Sequence, residues 1–139
     1  MKLISIVLVS IYLSFFPAKA FVFSAYAEWA DDLLKYQEEA LENPNSAEAH
    51  LNLGRAYIRQ NDWQKAAEEF KKNVLLAPND SKAHNNLGFA YENLHRYTEW
   101  LSEYREAIRL NPANSMAHDN LGRNYAKLGL LEEAINEHR

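Results

Sequence analysis

Residues 47–80 read AEAHLNLGRAYIRQNDWQKAAEEFKKNVLLAPND, and residues 81–114 read SKAHNNLGFAYENLHRYTEWLSEYREAIRLNPAN. Laid one above the other, they align His50 with His84, Asn52 with Asn86, Leu53-Gly54 with Leu87-Gly88, Tyr57 with Tyr91, and Pro78 with Pro112. The same step of 34 residues runs on to His118, Asn120, Leu121-Gly122 and Tyr125, and back from Pro78 to Pro44. Six residue types returning at one interval mean stacked copies of one supersecondary unit.

Each unit reads as two helices. Ser46, Asp80 and Asn114 stand two residues after a proline and are good N-caps, so helices are predicted to begin at Ala47, Ser81 and Ser115. Along the first of these, His50, Leu53, Gly54 and Tyr57 fall at i, i+3, i+4 and i+7, one stripe of a helix. A glycine inside a helix costs about 1 kcal/mol against alanine, and it makes sense where another helix must come close. The first helix should end near Asn61, His95 and Gly129, residue types suited to a left-handed turn. A second helix follows, with Trp63, Ala66, Ala67, Phe70, Val74 and Leu75 as its apolar side in the first unit. Tyr97, Trp100, Leu101, Tyr104, Ile108 and Leu110 play that part in the next, before proline stops the helix.

These residues resemble the tetratricopeptide repeat family. Its pattern appears as Leu53-Gly54, Tyr57, Ala66, Phe70 and Pro78. It returns as Leu87-Gly88, Tyr91, Tyr104, Ala107 and Pro112, then as Leu121-Gly122, Tyr125 and Ala134. The resemblance covers residues 47–139 and implies an all-α, right-handed α-solenoid of stacked helix-turn-helix repeats: 47–80, 81–114 and an incomplete 115–139. Residues 28–46 read as the second helix of a partial unit ahead of them, with Trp29, Leu33, Tyr36, Ala40 and Leu41 at helical spacing. Trp100 departs from the family pattern, standing where Ala66 and Ala134 are small. Turned inward, an indole there overfills the contact by about 1–3 kcal/mol, so either the unit splays around it, the expected outcome, or Trp100 turns outward as a binding hot spot. Asn73 likewise replaces a small apolar residue, and His138 an aromatic one.

Residues 1–27 form a leader. Lys2 precedes an uncharged run from Leu3 to Phe16, too short to cross a bilayer of about 30 Å and of the right length for a secretory core. Pro17 breaks it, and small-x-small cleavage sites end at Ala20 and Ala27. The chain is therefore expected to be secreted, periplasmic or membrane-tethered, the alternative being an uncut anchor over these residues. The absence of cysteine excludes disulfides, thiolate metal sites and lipoprotein anchoring.

Composition narrows function further. The chain has 139 residues, 47% of them apolar, and a net charge of −4. Beyond the first nineteen residues 13 cations face 19 carboxylates, so no basic field exists for nucleic acid. No glycine-rich phosphate loop, serine elbow or HExxH motif occurs, and neither a catalytic residue nor a cofactor is expected. His50, His84 and His118 lie on successive units about 8–10 Å apart, too far to share one metal ion at about 2.0–2.1 Å. They read as packed between helices with locally bonded rings. Adjacent carboxylates such as Glu68-Glu69 and Glu132-Glu133 diverge around a helix and read as solvated surface.

The remaining signal is a polar stripe. Asn52, Asn86 and Asn120 sit two residues past the packed histidines, about 200° round the helix, and asparagine is a mediocre helix former. A carboxamide donates and accepts, so three in register suit the main chain of an extended peptide lying in the concave groove. Arg55, Arg59, Phe89, Asn93, Arg123 and Lys127 flank them, and the cations would attract acidic side chains. The stripe is similar to the asparagine ladder in the repeats of O-linked N-acetylglucosamine transferases, which hold peptide backbone. The carboxylate-clamp subgroup matches poorly, because only Asn86 of its five residue types agrees. The expected function is thus a scaffold for a protein or peptide partner. The alternatives are an assembly module that self-associates through an uncapped C-terminal end, and the N-terminal part of a longer repeat protein.

Overall fold

The computed structural model describes residues 32–130, and among them finds six helices and no strand. Helix α1 covers 32–42. It is followed by α2 (Ala47–Arg59), α3 (Trp63–Leu76), α4 (Ser81–Asn93), α5 (Tyr97–Leu110) and α6 (Ser115–Lys127). The leader expected at 1–27, residues 28–31, and the second helix expected for the third unit lie outside the described residues. No helix among those described is long and apolar enough to cross a membrane.

Helix boundaries follow the local chemistry. The Ser46 hydroxyl accepts from the Ala49 amide at 3.2 Å, Asp80 from Lys82 at 2.8 Å and Asn114 from Ala117 at 3.2 Å. Each satisfies one of the amides that a helix start leaves without a partner. At the other end the backbone turns through Asn61 at φ 58°, His95 at φ 57° and Gly129 at φ 76°. The amides of Asp62, Arg96 and Leu130 then reach back to the carbonyls of Tyr57, Tyr91 and Tyr125 at 2.9–3.0 Å, closing three equivalent Schellman turns.

Within a unit the two helices meet across glycine. A Cβ on Gly54 would lie 2.5 Å from the Phe70 ring, and one on Gly88 would lie 2.8 Å from Tyr104. The aromatic ring of the second helix therefore rests on bare backbone of the first. Phe70 and Tyr104 are fully buried there, each removing a side chain from water for about 1.5–3 kcal/mol. Trp100 turns inward, 2% exposed, with its ring centroid 5.9 Å from that of Tyr104.

Between units a second rule recurs. The tyrosine of each first helix meets a polar side chain twenty residues earlier. Gln37 donates to the Tyr57 hydroxyl at 3.0 Å, the Lys71 ammonium lies 5.9 Å from the Tyr91 ring, and Arg105 donates to the Tyr125 hydroxyl at 3.0 Å. Units thus stack through equivalent contacts, and the architecture is an all-α solenoid. The apolar side of the second helices is narrower than the sequence pattern suggests, since Leu75 is 80% exposed and Tyr97 56%. Leu75 lies five residues past Phe70, about 140° away round the helix, whereas Val74 stays on the packed side. Asn73 is buried and donates to the Ala47 carbonyl at 2.8 Å. That bond ties the end of α3 to the start of α2, as the Ser81 hydroxyl ties α4 to the Ala107 carbonyl at 2.9 Å.

Candidate functional site

The expected stripe occupies the same register on three first helices. The helix phase that buries His50, Leu53 and Tyr57 leaves Asn52 half-buried, and Asn86 is half-buried likewise. Neither carboxamide makes a hydrogen bond to any described residue. Asn120 differs. Its amide donates to Asn85 Oδ1 at 3.2 Å and its oxygen accepts from Arg123 at 2.6 Å, so both of its functions are engaged within the chain. The ladder of three amides is open at two rungs. Position 85 decides this, because Asn85 is a buried acceptor on α4 where the equivalent Leu51 on α2 offers none.

The flanking residues divide the same way. Arg55 is exposed and has no carboxylate partner among the described residues. Arg59 makes a 3.4 Å contact with Asp32, both half-exposed, worth little at such a site. Phe89 packs edge-on against Trp63, centroids 5.6 Å apart. Asn93 turns its amide back to the Phe89 carbonyl at 2.8 Å. Arg123 and Lys127, expected to attract a ligand's acids, instead lie over Glu92 at 3.7 Å and 3.1 Å.

Glu92 belongs to none of the motifs singled out above. Its side chain is 11% exposed, and it accepts from the Tyr104 hydroxyl at 2.9 Å and from Lys127. Burial pushes its pKa up, but hydrogen bonds from Asn124, Lys127 and Tyr104 and the Lys127 charge outweigh that and hold it below its ordinary value. Burial and the neighbouring Glu92 charge raise the Tyr104 phenol in turn. A paired departure from the repeat marked the site. Glu92 stands where the other units have Ile58 and Ala126, and Tyr104 where the first unit has Phe70.

The histidines bridge helix and loop. His50 places Nδ1 2.6 Å from Glu69 and Nε2 3.0 Å from the Pro44 carbonyl. His84 repeats this with Glu103 at 2.7 Å and Pro78 at 3.1 Å, and His118 meets the Pro112 carbonyl at 3.1 Å. Each ring of the first two thus lies between a carboxylate and a carbonyl, one at each nitrogen. Glu69 is therefore not solvated surface. It is 8% exposed because it closes this bridge and also accepts from Lys72 at 2.8 Å. The signal was present as a histidine and a glutamate nineteen residues apart in both complete units. Among the described residues no three histidine, aspartate or glutamate side chains group closely enough to hold a metal ion.

Residues 47–80 and 81–114 each match a family model of the tetratricopeptide repeat. The chain is a tetratricopeptide repeat protein. Its fold is similar to crystal structures of MamA. One is 25% identical with a TM-score of 0.73, over 92% of this chain and 68% of that one. Another, also 25% identical with a TM-score of 0.73, aligns over 82% and 67%. For MamA from residue 41 onward of Desulfovibrio magneticus RS-1 the identity is 18% and the TM-score 0.74, over 85% and 67%, a likeness of fold alone. No curated protein matches the sequence at a significant level. Repeats and neighbours together make this tetratricopeptide repeat chain a protein-interaction scaffold by architecture.

Proposed function

We propose that the scaffold holds an extended protein segment against the faces that carry Asn52 and Asn86, through hydrogen bonds to the segment's main chain. The observation that carries this reading is the pair of amides: same register on the first helices of successive units, half-buried, and without a hydrogen bond to any described residue. Each offers a donor and an acceptor to one peptide unit. Each bond formed is worth about 0.5–1.5 kcal/mol net, so two amides can shift affinity by more than tenfold. Arg55, with Arg59 one turn on, supports a preference for acidic residues in that segment. Phe89 against Trp63 adds apolar surface beside them.

Binding of the full chain to an array of extended peptides, repeated with the Asn52→Ala/Asn86→Ala double variant, tests the reading. Affinity of the double variant should fall about tenfold or more on every peptide, since main-chain bonds ignore side-chain identity. Unchanged affinity removes the main-chain reading and leaves the scaffold.

A further inference from the structure

The first and third units carry the same pair of cations at the same register: Arg55 and Arg59 on α2, Arg123 and Lys127 on α6. Their surroundings differ. On α6 the pair sits over a carboxylate of the preceding first helix, with Lys127 Nζ 3.1 Å and Arg123 Nη2 3.7 Å from Glu92. Lys127 is 59% exposed and Arg123 51%, while the Glu92 side chain between them and the core is 11% exposed. The Tyr104 hydroxyl donates to the same carboxylate from below at 2.9 Å. Arg123 also holds Asn120, whose amide is turned to Asn85. On α2, Arg55 has no carboxylate partner among the described residues, and Arg59 meets Asp32 at 3.4 Å with both side chains half-exposed.

A lysine, an arginine and a hydroxyl converging on one carboxylate form a carboxylate-binding site, here filled from inside the chain. We propose that Glu92 is an internal occupant that closes the third unit to acidic ligands and confines recognition of an acidic segment to the first two. This rests on the reading of the groove given above. A tethered carboxylate competes at an effective concentration of the order of mM or more, which a single side chain of a free peptide does not reach. Without Glu92, Arg123 and Lys127 become available to a ligand's carboxylate, while Asn120 stays bonded to Asn85.

The test uses a fluorescein-labelled heptapeptide of alternating glutamate and glycine, titrated by anisotropy against the full chain at two salt concentrations. Glu92→Gln keeps size and leaves Tyr104 an acceptor. Glu92→Ile/Tyr104→Phe imports the two residue types that the first unit already carries at these positions, and guards against a folding defect in the single variant. Both variants should bind the peptide at least about tenfold more tightly than wild type, with a steeper loss of affinity on adding salt, because two more cations are engaged. Adding Arg123→Ala and Lys127→Ala to Glu92→Gln should abolish the gain. Equal affinity of wild type and both variants overturns the role of Glu92. Arg55→Ala separates the two claims: if it weakens binding while the Glu92 variants change nothing, the groove reading stands and the internal occupant falls. If Arg55→Ala also changes nothing, the acidic preference of the groove falls with it.

Discussion

Gly54 carries the most local consequence in the molecule. Helix propensity alone favours Gly54→Ala by about 1 kcal/mol. Against that, the new Cβ would lie 2.5 Å from a Phe70 ring that is 0% exposed, so neither group can move aside without displacing the core. Overpacking of this kind costs about 1–3 kcal/mol, which outweighs the propensity gain. Urea denaturation of Gly54→Ala should therefore show a lower midpoint with an unchanged slope. A midpoint at or above wild type would mean that the ring has room. Glu92 and Tyr104 show the same economy of contact, since a buried phenol and a half-buried carboxylate satisfy each other where the first unit has two apolar residues.

At the level of the element, the turns between paired helices decide where each second helix points. Asn61, His95 and Gly129 all take a left-handed backbone, yet only one is glycine. A side chain in that conformation costs about 1–2 kcal/mol, partly offset by the greater freedom that glycine loses on folding, about 0.5–1 kcal/mol. The His95 side chain is exposed and makes no hydrogen bond to a described residue. His95→Gly should therefore stabilise the chain by about 0.5–1 kcal/mol, read as a rise in the thermal midpoint. A fall would show that the imidazole holds the turn by some other means. The histidine bridges act at the same scale, tying each second helix to the loop ahead of its own first helix.

The scale of the whole molecule is set by contacts that cross units. Glu92 on α4 is bonded to Tyr104 on α5 and to Lys127 on α6, so one carboxylate joins two units. Its pKa lies below the ordinary 4.5 once folded. The stability it contributes is therefore complete above pH 4.5 and is lost as pH falls through the lower folded value. Unfolding followed from neutral pH to pH 3 should show wild type losing more stability than Glu92→Gln, with the difference confined to the acid end. Parallel curves would mean that Glu92 does not couple the units. In a stack whose stability is a sum of unit and interface contributions, loosening this junction should release α6 before the first unit unfolds.

How much of this was legible depends on how far each signal reaches. Period, caps and turns were written locally. Ser46, Asp80, Asn114, Asn61 and His95 act on amides and backbone within a few residues of themselves, so the sequence alone placed the helices and their stacking order. Leu75 marks the limit of that pattern, because an apolar residue off the packed phase is apolar in sequence whether or not a neighbour covers it. The state of the candidate groove was not legible. Whether Asn120 stays open like Asn52 and Asn86 depends on Asn85 and Arg123, and whether Arg123 and Lys127 face a ligand depends on Glu92. Sequence determined which side chains share a helix face. Only the tertiary structure decided which of them were already spoken for, because hydrogen bonds and ion pairs across units form at distances that chain spacing does not encode.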